Sequence, residues 1–369
     1  MEDKTKKEER LMSLDALRGF DMLFIMGFAG WIVALCRLLP AGWFTECLSV
    51  QMAHVEWHGL THHDTIFPLF LFVAGISFPF SLWKQRAIGK SEKSILYKII
   101  KRGIVLVLLG FIYNGFLRLD FATMRYASVL GRIGLAWMFA ALLFTYLKPK
   151  VCWIISAVIL IGYWLILWLI PEGADPFSFE DNLVGTVDRL LLPGRLNEKT
   201  FDPEGLLSTL PAIATALLGM FTGQLVQVSK ERISGNKKVL YMVVAAIILI
   251  VIGWIWSYWF PINKKLWTST FVLVVAGYSL IMFALFYYII DVKGYHRWSF
   301  FFRVVGLNSI TIYLAQRIIN FRPIANFFFG GIASKCPEEV GALINATAYI
   351  AVCWLFLYIL YKKKIFLKV

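Results

Sequence analysis

The chain has 369 residues, of which 59% are hydrophobic and 16% are charged, and its mean hydropathy is +0.70. An ordinary soluble domain carries about 25% charged residues, so this composition excludes a water-soluble globular protein and predicts a polytopic membrane protein. The formal net charge of +14 comes mainly from cations in short loops, and we therefore do not interpret it as a nucleic-acid-binding surface.

About ten apolar runs are long enough to be helices that cross a bilayer, since about 20 apolar residues span a hydrocarbon core of about 30 Å. In chain order, these predicted spans are 14–38, 65–83, 99–117, 128–147, 151–170, 206–228, 239–259, 268–290, 300–319 and 340–361. The sequence therefore predicts an all-α bundle. We treat residues 1–369 as one membrane domain, with an N-terminal tail (1–12) and one structured loop (171–205).

Lysine and arginine are concentrated in alternate loops, and this distribution predicts the orientation of the helices. The cation-rich segments are residues 4–10, 84–102, 148–150, 230–238, 293–297 and 362–368. We expect these segments, and with them both termini, to be cytoplasmic. The opposite loops are poor in cations and include the acidic stretch from Glu172 to Glu204, so we expect them to be extracytoplasmic.

The start of the first span carries two opposite charges, Asp15 and Arg18, three residues apart on one helical face. One interpretation is an interfacial ion pair in which Arg18 extends to the membrane surface. The other is that Arg18 binds a phosphate of an anionic cofactor while Asp15 holds its geometry. Asp21 lies one turn deeper, and we expect it to face the bundle interior because a carboxylate exposed to lipid is costly.

Four of the five histidines fall within ten residues, just before the second span: His54, His58, His62 and His63. Their spacing of four residues is compatible with a shared metal on a helix. However, Gly59 weakens helix continuity, and the His-Glu-x-x-His arrangement of metal peptidases is missing. We predict no metal site. Apart from His54, these histidines are expected to form hydrogen bonds at a wet interface, with Trp57 as an interfacial anchor.

An ordered set of short motifs makes the sequence recognisable. They are Ser13–Gly19, His54 with Trp57–Thr61, Asp64–Phe70, Val129–Gly134, Asp188–Leu192, Phe201–Gly205, Pro261–Trp267, Asp291–Gly294 and Gly306–Ser309. Each is weak alone, but their shared order over nearly the whole chain resembles the heparan-α-glucosaminide N-acetyltransferase family. That family comprises transmembrane acetyltransferases that use acetyl-CoA.

The resemblance implies that His54 is the catalytic histidine, because the family's histidine lies just ahead of the Trp-x-Gly-Leu-Thr string on the lumenal side. It also makes Trp57 a candidate for acceptor binding. A family asparagine falls at Ala29 here, so one hydrogen bond to the acyl group or the histidine is either missing or supplied by another residue. The lumenal domain of animal members has no counterpart, which implies a shorter prokaryotic form in the bacterial inner membrane.

His54 can serve the implied reaction in two ways. A neutral imidazole can take the proton of a glucosamine ammonium, or it can attack the thioester and carry the acetyl group. We favour direct transfer, because no acetyl-histidine is then exposed to water. Asp64 is the candidate that orients the imidazole, and an equal alternative is that Asp64 is the N-cap of the second span.

The predicted topology requires acetyl-CoA to thread from the cytoplasm through the bundle towards His54. The candidates that line this route are Arg18, Asp15, Arg102, Arg132, Asn308 and Ser309. Arg132 has an equal alternative as the ion-pair partner of Asp120 or another acid. Asp202 and Glu204 are candidates that attract an aminosugar, and the alternative is a solvated start of the helix before Leu206.

The sequence thus predicts an acetyl-CoA-dependent acetyltransferase acting on an aminosugar or oligosaccharide outside the cytoplasm, surrounded by membrane lipid. The alternative is a transporter or flippase, in which buried charges form a coupling path. A homodimer, the identity of the acceptor, N- or O-acetylation, and pairing of Cys47 with Cys336 are left open by the sequence.

Overall fold

The computed structural model describes residues 11–171, 173–229 and 231–367. Within these ranges the chain is helical, and its only extended pairing is an isolated bridge between Arg125 and Gly194. The predicted all-α fold is confirmed. Most of the predicted N-terminal tail, residues 1–10, lies outside the described residues, as do Glu172, Lys230 and residues 368–369.

The helices follow one another through mostly short loops. They are α1 Met12–Leu23, α2 Ala29–Leu38, α3 Trp43–Gln51, α4 His62–Ala87, α5 Glu92–Tyr113, α6 Val129–Tyr146, α7 Pro149–Leu169, α8 Leu183–Leu191, α9 Thr209–Gln227, α10 Gly235–Trp256, α11 Ser269–Tyr287, α12 Phe300–Gly306, α13 Ser309–Ile318, α14 Phe321–Ala333 and α15 Glu338–Lys362. A π-helical segment, Phe24–Phe28, joins α1 to α2, and a second one, Tyr288–Val292, extends α11.

Eight helical segments of the described residues are long and apolar enough to cross a membrane. They are Met12–Leu38, His62–Ala87, Val129–Tyr146, Pro149–Leu169, Thr209–Gln227, Gly235–Trp256, Ser269–Val292 and Glu338–Lys362. The predicted span 99–117 corresponds to α5, whose apolar character is reduced by Lys98, Lys101 and Arg102. The predicted span 300–319 is broken at Asn308 into α12 and α13.

The first span is continuous but kinked at Gly27, whose φ of 113° is accessible mainly to glycine. The side chain of Tyr349 on α15 packs there, 3.3 Å from where a Cβ would lie. Because of the kink, α1 and α2 pack against different helices: α1 packs on α12, and α2 packs on α15.

Helix α4 lies at the centre of the bundle and is fixed by close contact with α9. A Cβ at Gly75 would overlap the carbonyl oxygen of Ala216, and a Cβ at Gly219 would overlap that of Phe72. Small residues allow helix backbones in a membrane to approach this closely. The contact gives α4 a defined position in the bundle.

Candidate functional site

Helix α4 is buried on most of its surface, but one stripe of it is accessible. His63, Phe70, Ala74 and Ser77 are partly exposed, whereas most of the residues between them are buried. Their separations of seven, four and three residues place them on one helical face. At a rise of about 1.5 Å per residue, the stripe is roughly 21 Å long.

The stripe borders a small, partly open apolar cavity of about 60 Å³ between α1, α4, α6 and α13. Phe67 and Phe70 of α4 line it, together with side chains from the three other helices: Met22, Ile25, Ile133, Ser309 and Tyr313. The cavity therefore lies between the two ends of the stripe, which we call the His54 end and the Arg18 end after the side chains found there.

At the His54 end, three side chains converge. His54 Nδ1 lies 2.7 Å from Asp64 Oδ1, and Lys264 Nζ lies 3.2 Å from the same oxygen and 3.0 Å from His54 Nδ1. The His54 side chain is 54% exposed, whereas Asp64 is 1% exposed. A buried carboxylate thus holds an imidazole whose other edge is open to the site.

Asp64 accepts more hydrogen bonds than a neutral carboxyl can. Its Oδ2 accepts from the backbone N–H groups of Val55 and Thr61, at 3.3 and 3.2 Å, and Thr61 Oγ1 lies 2.9 Å away. An acceptor-only carboxylate suits this set of donors, so Asp64 is best described as ionised. The proposed N-cap role needs a correction: Thr61 is the N-cap of α4, and Asp64 is the N3 residue of a capping box.

This geometry fixes the tautomer of His54. With Asp64 ionised, the hydrogen on Nδ1 points at Oδ1, and the lone pair of the neutral ring is then on Nε2. Such an imidazole can accept a proton or attack an acyl carbon with Nε2. The arrangement of His54 and Asp64 is the one predicted for an oriented base, and their catalytic roles stay predictions.

Lys264 is the member of this group that sequence reasoning missed as a site residue. It lies in the loop before α11, within the Pro261–Trp267 motif, and no local feature distinguishes it from Lys265. Burial lowers the pKa of the Lys264 ammonium, while the carboxylates of Asp64 and Glu204 oppose that effect. The ordered position of the motif was the one signal that pointed to this loop.

The other histidines of this segment have separate surroundings. The His63 ring lies 4.5 Å from the His54 ring, and His58 Nδ1 lies 3.3 Å from Asn263 Nδ2. Burial lowers the pKa of His58. No group of three or more possible ligands is placed to bind a metal ion within the described residues.

Trp57 donates to the carbonyl oxygen of Phe177 at 3.0 Å and so connects the histidine loop to the loop after α7.

At the Arg18 end, two guanidinium groups lie close together. Arg18 donates to Asp15 Oδ1 and to Ser77 Oγ, both at 3.3 Å. Arg102 stacks over the Trp137 ring, 4.2 Å from its centroid, and its Nε has no hydrogen-bond partner among the described residues. The two cations are near enough to repel each other, and such a pair suits an anionic ligand.

Arg132 lies in the first turn of α6 and makes contacts different from those of Arg18 and Arg102. It donates to Gly205 O and to Ser208 Oγ, and it stacks over Trp267 with 4.8 Å to the ring centroid. The suggested pairing of Arg132 with Asp120 is wrong, because Asp120 instead accepts from Thr123 at the protein surface. Arg132 therefore braces the loop before α9.

Asp202 and Glu204 both pair with Arg125. Two nitrogens of Arg125 contact the Asp202 carboxylate at 2.5 and 2.7 Å, and one of them also contacts Glu204. Asp202 is fully buried, so the alternative of a solvated helix start is wrong for this residue. The Glu204 side chain keeps a small exposed fraction, 11%, where Asp202 has none.

The neighbouring Asp188 was recognised only as part of a motif. It accepts from the backbone N–H groups of Asp202 and Leu206, at 3.1 and 3.0 Å. Burial raises the pKa of Asp188 to about 6, and those two hydrogen bonds oppose the rise. Asp188 thus holds the chain that carries the two predicted acceptor-binding acids.

Asn308 and Ser309 are adjacent but have different surroundings. Asn308 Nδ2 donates to Ile365 O at 3.0 Å, and its Oδ1 accepts from the backbone of Leu367 at 3.4 Å, so its amide holds the C-terminal segment. Ser309 lines the cavity. Cys47 and Cys336 are both free thiols, so the disulfide that the sequence left open is not formed.

Comparisons with known proteins agree with the motif pattern. Residues 10–118 match the family model described as a domain of unknown function (DUF5009). The chain is 28% identical over 98% of its length to heparan-alpha-glucosaminide N-acetyltransferase of Homo sapiens, and 27% identical over 86% of its length to the protein of that name in Mus musculus. It spans 60% and 56% of these relatives. The resemblance to this family is therefore confirmed.

Proposed function

From this resemblance and the site geometry, we propose that the protein is a transmembrane acetyltransferase. It moves the acetyl group of cytoplasmic acetyl-CoA to the amino group of a glucosamine-type sugar outside the cytoplasm. The observation that carries the proposal is the accessible stripe of α4, because it connects a pair of cations to His54 through an apolar cavity. The proposed setting is the bacterial inner membrane, with the His54 end extracytoplasmic.

The residues along the stripe suit the parts of acetyl-CoA in order. Arg18 and Arg102 bind phosphate oxygens at the cytoplasmic mouth, with Asp15 and Ser77 positioning Arg18. The Nε of Arg102 has no hydrogen-bond partner among the described residues, which supports this fit because a buried donor without a partner is costly. Ser309 and the apolar wall of the cavity accommodate the uncharged arm, which brings the thioester towards His54.

His54 removes a proton from the sugar ammonium through Nε2, while Asp64 keeps the hydrogen on Nδ1. The freed amine attacks the thioester carbonyl carbon, a C–N bond forms, and the C–S bond breaks. Of the two protons that the nitrogen loses, one is taken by the departing thiolate and one is released to water. In the covalent variant, Nε2 carries the acetyl group between the two substrates.

The acceptor is proposed to lie against the loop before α9. Glu204 is the better candidate for contact with the sugar ammonium, because Asp202 is buried in its pairing with Arg125 and Glu204 is closer to the open side. Trp57 offers an aromatic face beside the same loop, since its ring packs on Phe201 with centroids 5.5 Å apart.

The test uses purified protein in sealed vesicles with labelled acetyl-CoA on the cytoplasmic side. We expect free thiol to appear only when an aminosugar is present outside, together with a labelled N-acetyl product. A screen of aminosugars, oligosaccharides and O-linked acceptors then identifies the substrate. Aminosugar movement across the membrane without thiol release would refute the proposal and favour a transporter.

A further inference from the structure

The contact of Lys264 with both His54 and Asp64 has no role in the chemistry described so far. We propose that Lys264 keeps His54 in its neutral, proton-accepting form by neutralising the charge of Asp64. Lys264 is then a positioning residue, one that acts through His54 without touching the reacting atoms. This inference rests on the proposed role of His54 as a base.

The geometry assigns each hydrogen in the group. Asp64 Oδ1 accepts from His54 Nδ1 at 2.7 Å and from Lys264 Nζ at 3.2 Å. Since Nδ1 already carries a hydrogen directed at Oδ1, the 3.0 Å separation of Nζ and Nδ1 joins two donors. An ammonium tolerates that approach when the ring is neutral. It repels an imidazolium strongly at the same distance.

A histidine held by a carboxylate alone is drawn towards its charged form, because an adjacent opposite charge favours ionisation. That form has no lone pair and cannot accept the sugar's proton. In this protein the Asp64 carboxylate is shared with Lys264, so its charge is balanced before His54 binds a proton. Asp64 can therefore fix the tautomer without also protonating the base.

The other ionisable groups facing His54 do not supply this balance. On α4, the His63 ring lies 4.5 Å from the His54 ring, and its Nδ1 has no hydrogen-bond partner among the described residues. Glu204, from the loop before α9, acts on Lys264 and would draw positive charge towards the site. Lys265 points elsewhere and pairs with Glu198 at 3.1 Å. Lys264 is therefore the cation of the described residues that contacts the His54–Asp64 pair.

The experiment compares Lys264→Gln with Lys264→Arg and with the matched control Lys265→Gln. The ring titration of His54 is followed by NMR on histidine-labelled protein in detergent, and its signal is assigned by its loss in His54→Gln. We expect Lys264→Gln to raise the titration midpoint by about 1 pH unit or more, Lys264→Arg to raise it less, and Lys265→Gln to leave it unchanged. Lys264→Met, which also removes the charge, serves if the Gln variant folds poorly.

The acid limb of the pH profile of kcat/KM should move in the same direction, so that activity lost in Lys264→Gln at neutral pH recovers as pH rises. An unmoved midpoint in Lys264→Gln and Lys264→Met would overturn the inference even if acetyl transfer is observed. A raised midpoint in a protein that transfers no acetyl group would support the Lys264 effect and refute the proposed function. The two hypotheses thus fail separately.

Discussion

The two ends of the accessible stripe on α4 are built differently. At the His54 end, a buried carboxylate receives hydrogen bonds from two backbone N–H groups, a histidine and a lysine, and the charges of Asp64 and Lys264 balance. At the Arg18 end, two guanidinium groups repel each other, and the Nε of Arg102 lacks a hydrogen-bond partner in the part of the chain described here.

This difference indicates different tasks. The His54–Asp64–Lys264 group makes its mutual contacts without a ligand, which suits the proton transfer that we propose for it. At the Arg18 end, the Nε of Arg102 has no hydrogen-bond partner among the described residues, which suits the anionic ligand that we propose there. The predictions that follow test the two ends against each other.

The largest expected effect is an all-or-none difference in thiol labelling between the two sides of the membrane. In a background where Cys47 and Cys336 are replaced by Ser, a membrane-impermeant thiol reagent added to sealed right-side-out vesicles should label a cysteine placed at Glu56 and miss one placed at Lys93. The positive-inside distribution is the reason. Permeabilised vesicles, in which both sites should react, are the control, and reversed labelling would overturn the cofactor route.

The second-largest effect is expected when His54, the proposed base, is replaced. His54→Ala should lower acetyl transfer by about 100-fold or more, the usual scale for a positioned acid or base, while acetyl-CoA affinity stays within about twofold. His58→Ala is the matched control, because His58 contacts Asn263 and not Asp64. Near-normal turnover in His54→Ala would show that the His54 end takes no part in acetyl transfer.

Some features of this arrangement could be read from the sequence, and their physical basis is local. Apolar runs predicted the long helices, and the short separation of His54 and Asp64 made their contact foreseeable. Asp21 is buried, as predicted for a carboxylate within a span. The N-cap at Thr61 was missed because Thr and Asp are both good caps three residues apart, and the register depends on the loop that precedes them.

Contacts between distant segments were not predictable. Lys264 is 200 residues from Asp64, and Arg125 is 77 residues from Asp202. Nothing local distinguishes Lys264 from Lys265, or reveals that a partly buried arginine pairs with the acids of the loop before α9. Only the packing of helices that bring these loops together decides which charges meet.

Removing a cation at the Arg18 end should have a moderate effect, limited to the binding of acetyl-CoA. Arg18→Ala should raise the KM for acetyl-CoA by about 10-fold, on the scale of a charge-assisted hydrogen bond of roughly 1.5–3 kcal/mol, and Arg18→Lys should recover part of it. Arg86→Ala is the control, because Arg86 already pairs with Glu92 at 3.0 Å.

The simpler interpretation of Arg18, an ion pair with Asp15, predicts a different result. Folding yield would then fall in Arg18→Ala, and the KM of the folded, monodisperse fraction would not change. Measuring acetyl-CoA affinity on that fraction therefore separates an anion-binding role from a structural one.

The smallest effect is expected at Asn308, and its neighbour supplies the contrast. Asn308→Ala removes the side-chain bonds to Ile365 and Leu367, so we expect a loss of roughly 1–3 kcal/mol in stability, seen as a lower Tm, with the KM for acetyl-CoA unchanged. Ser309→Phe instead projects a ring into the cavity and should raise that KM with little change in Tm. If Asn308→Ala raises the KM for acetyl-CoA as much as Ser309→Phe does, the acetyl-CoA route extends past the cavity to the C-terminal segment. The cofactor would then contact more of the protein than the two ends of the stripe on α4 and the cavity between them.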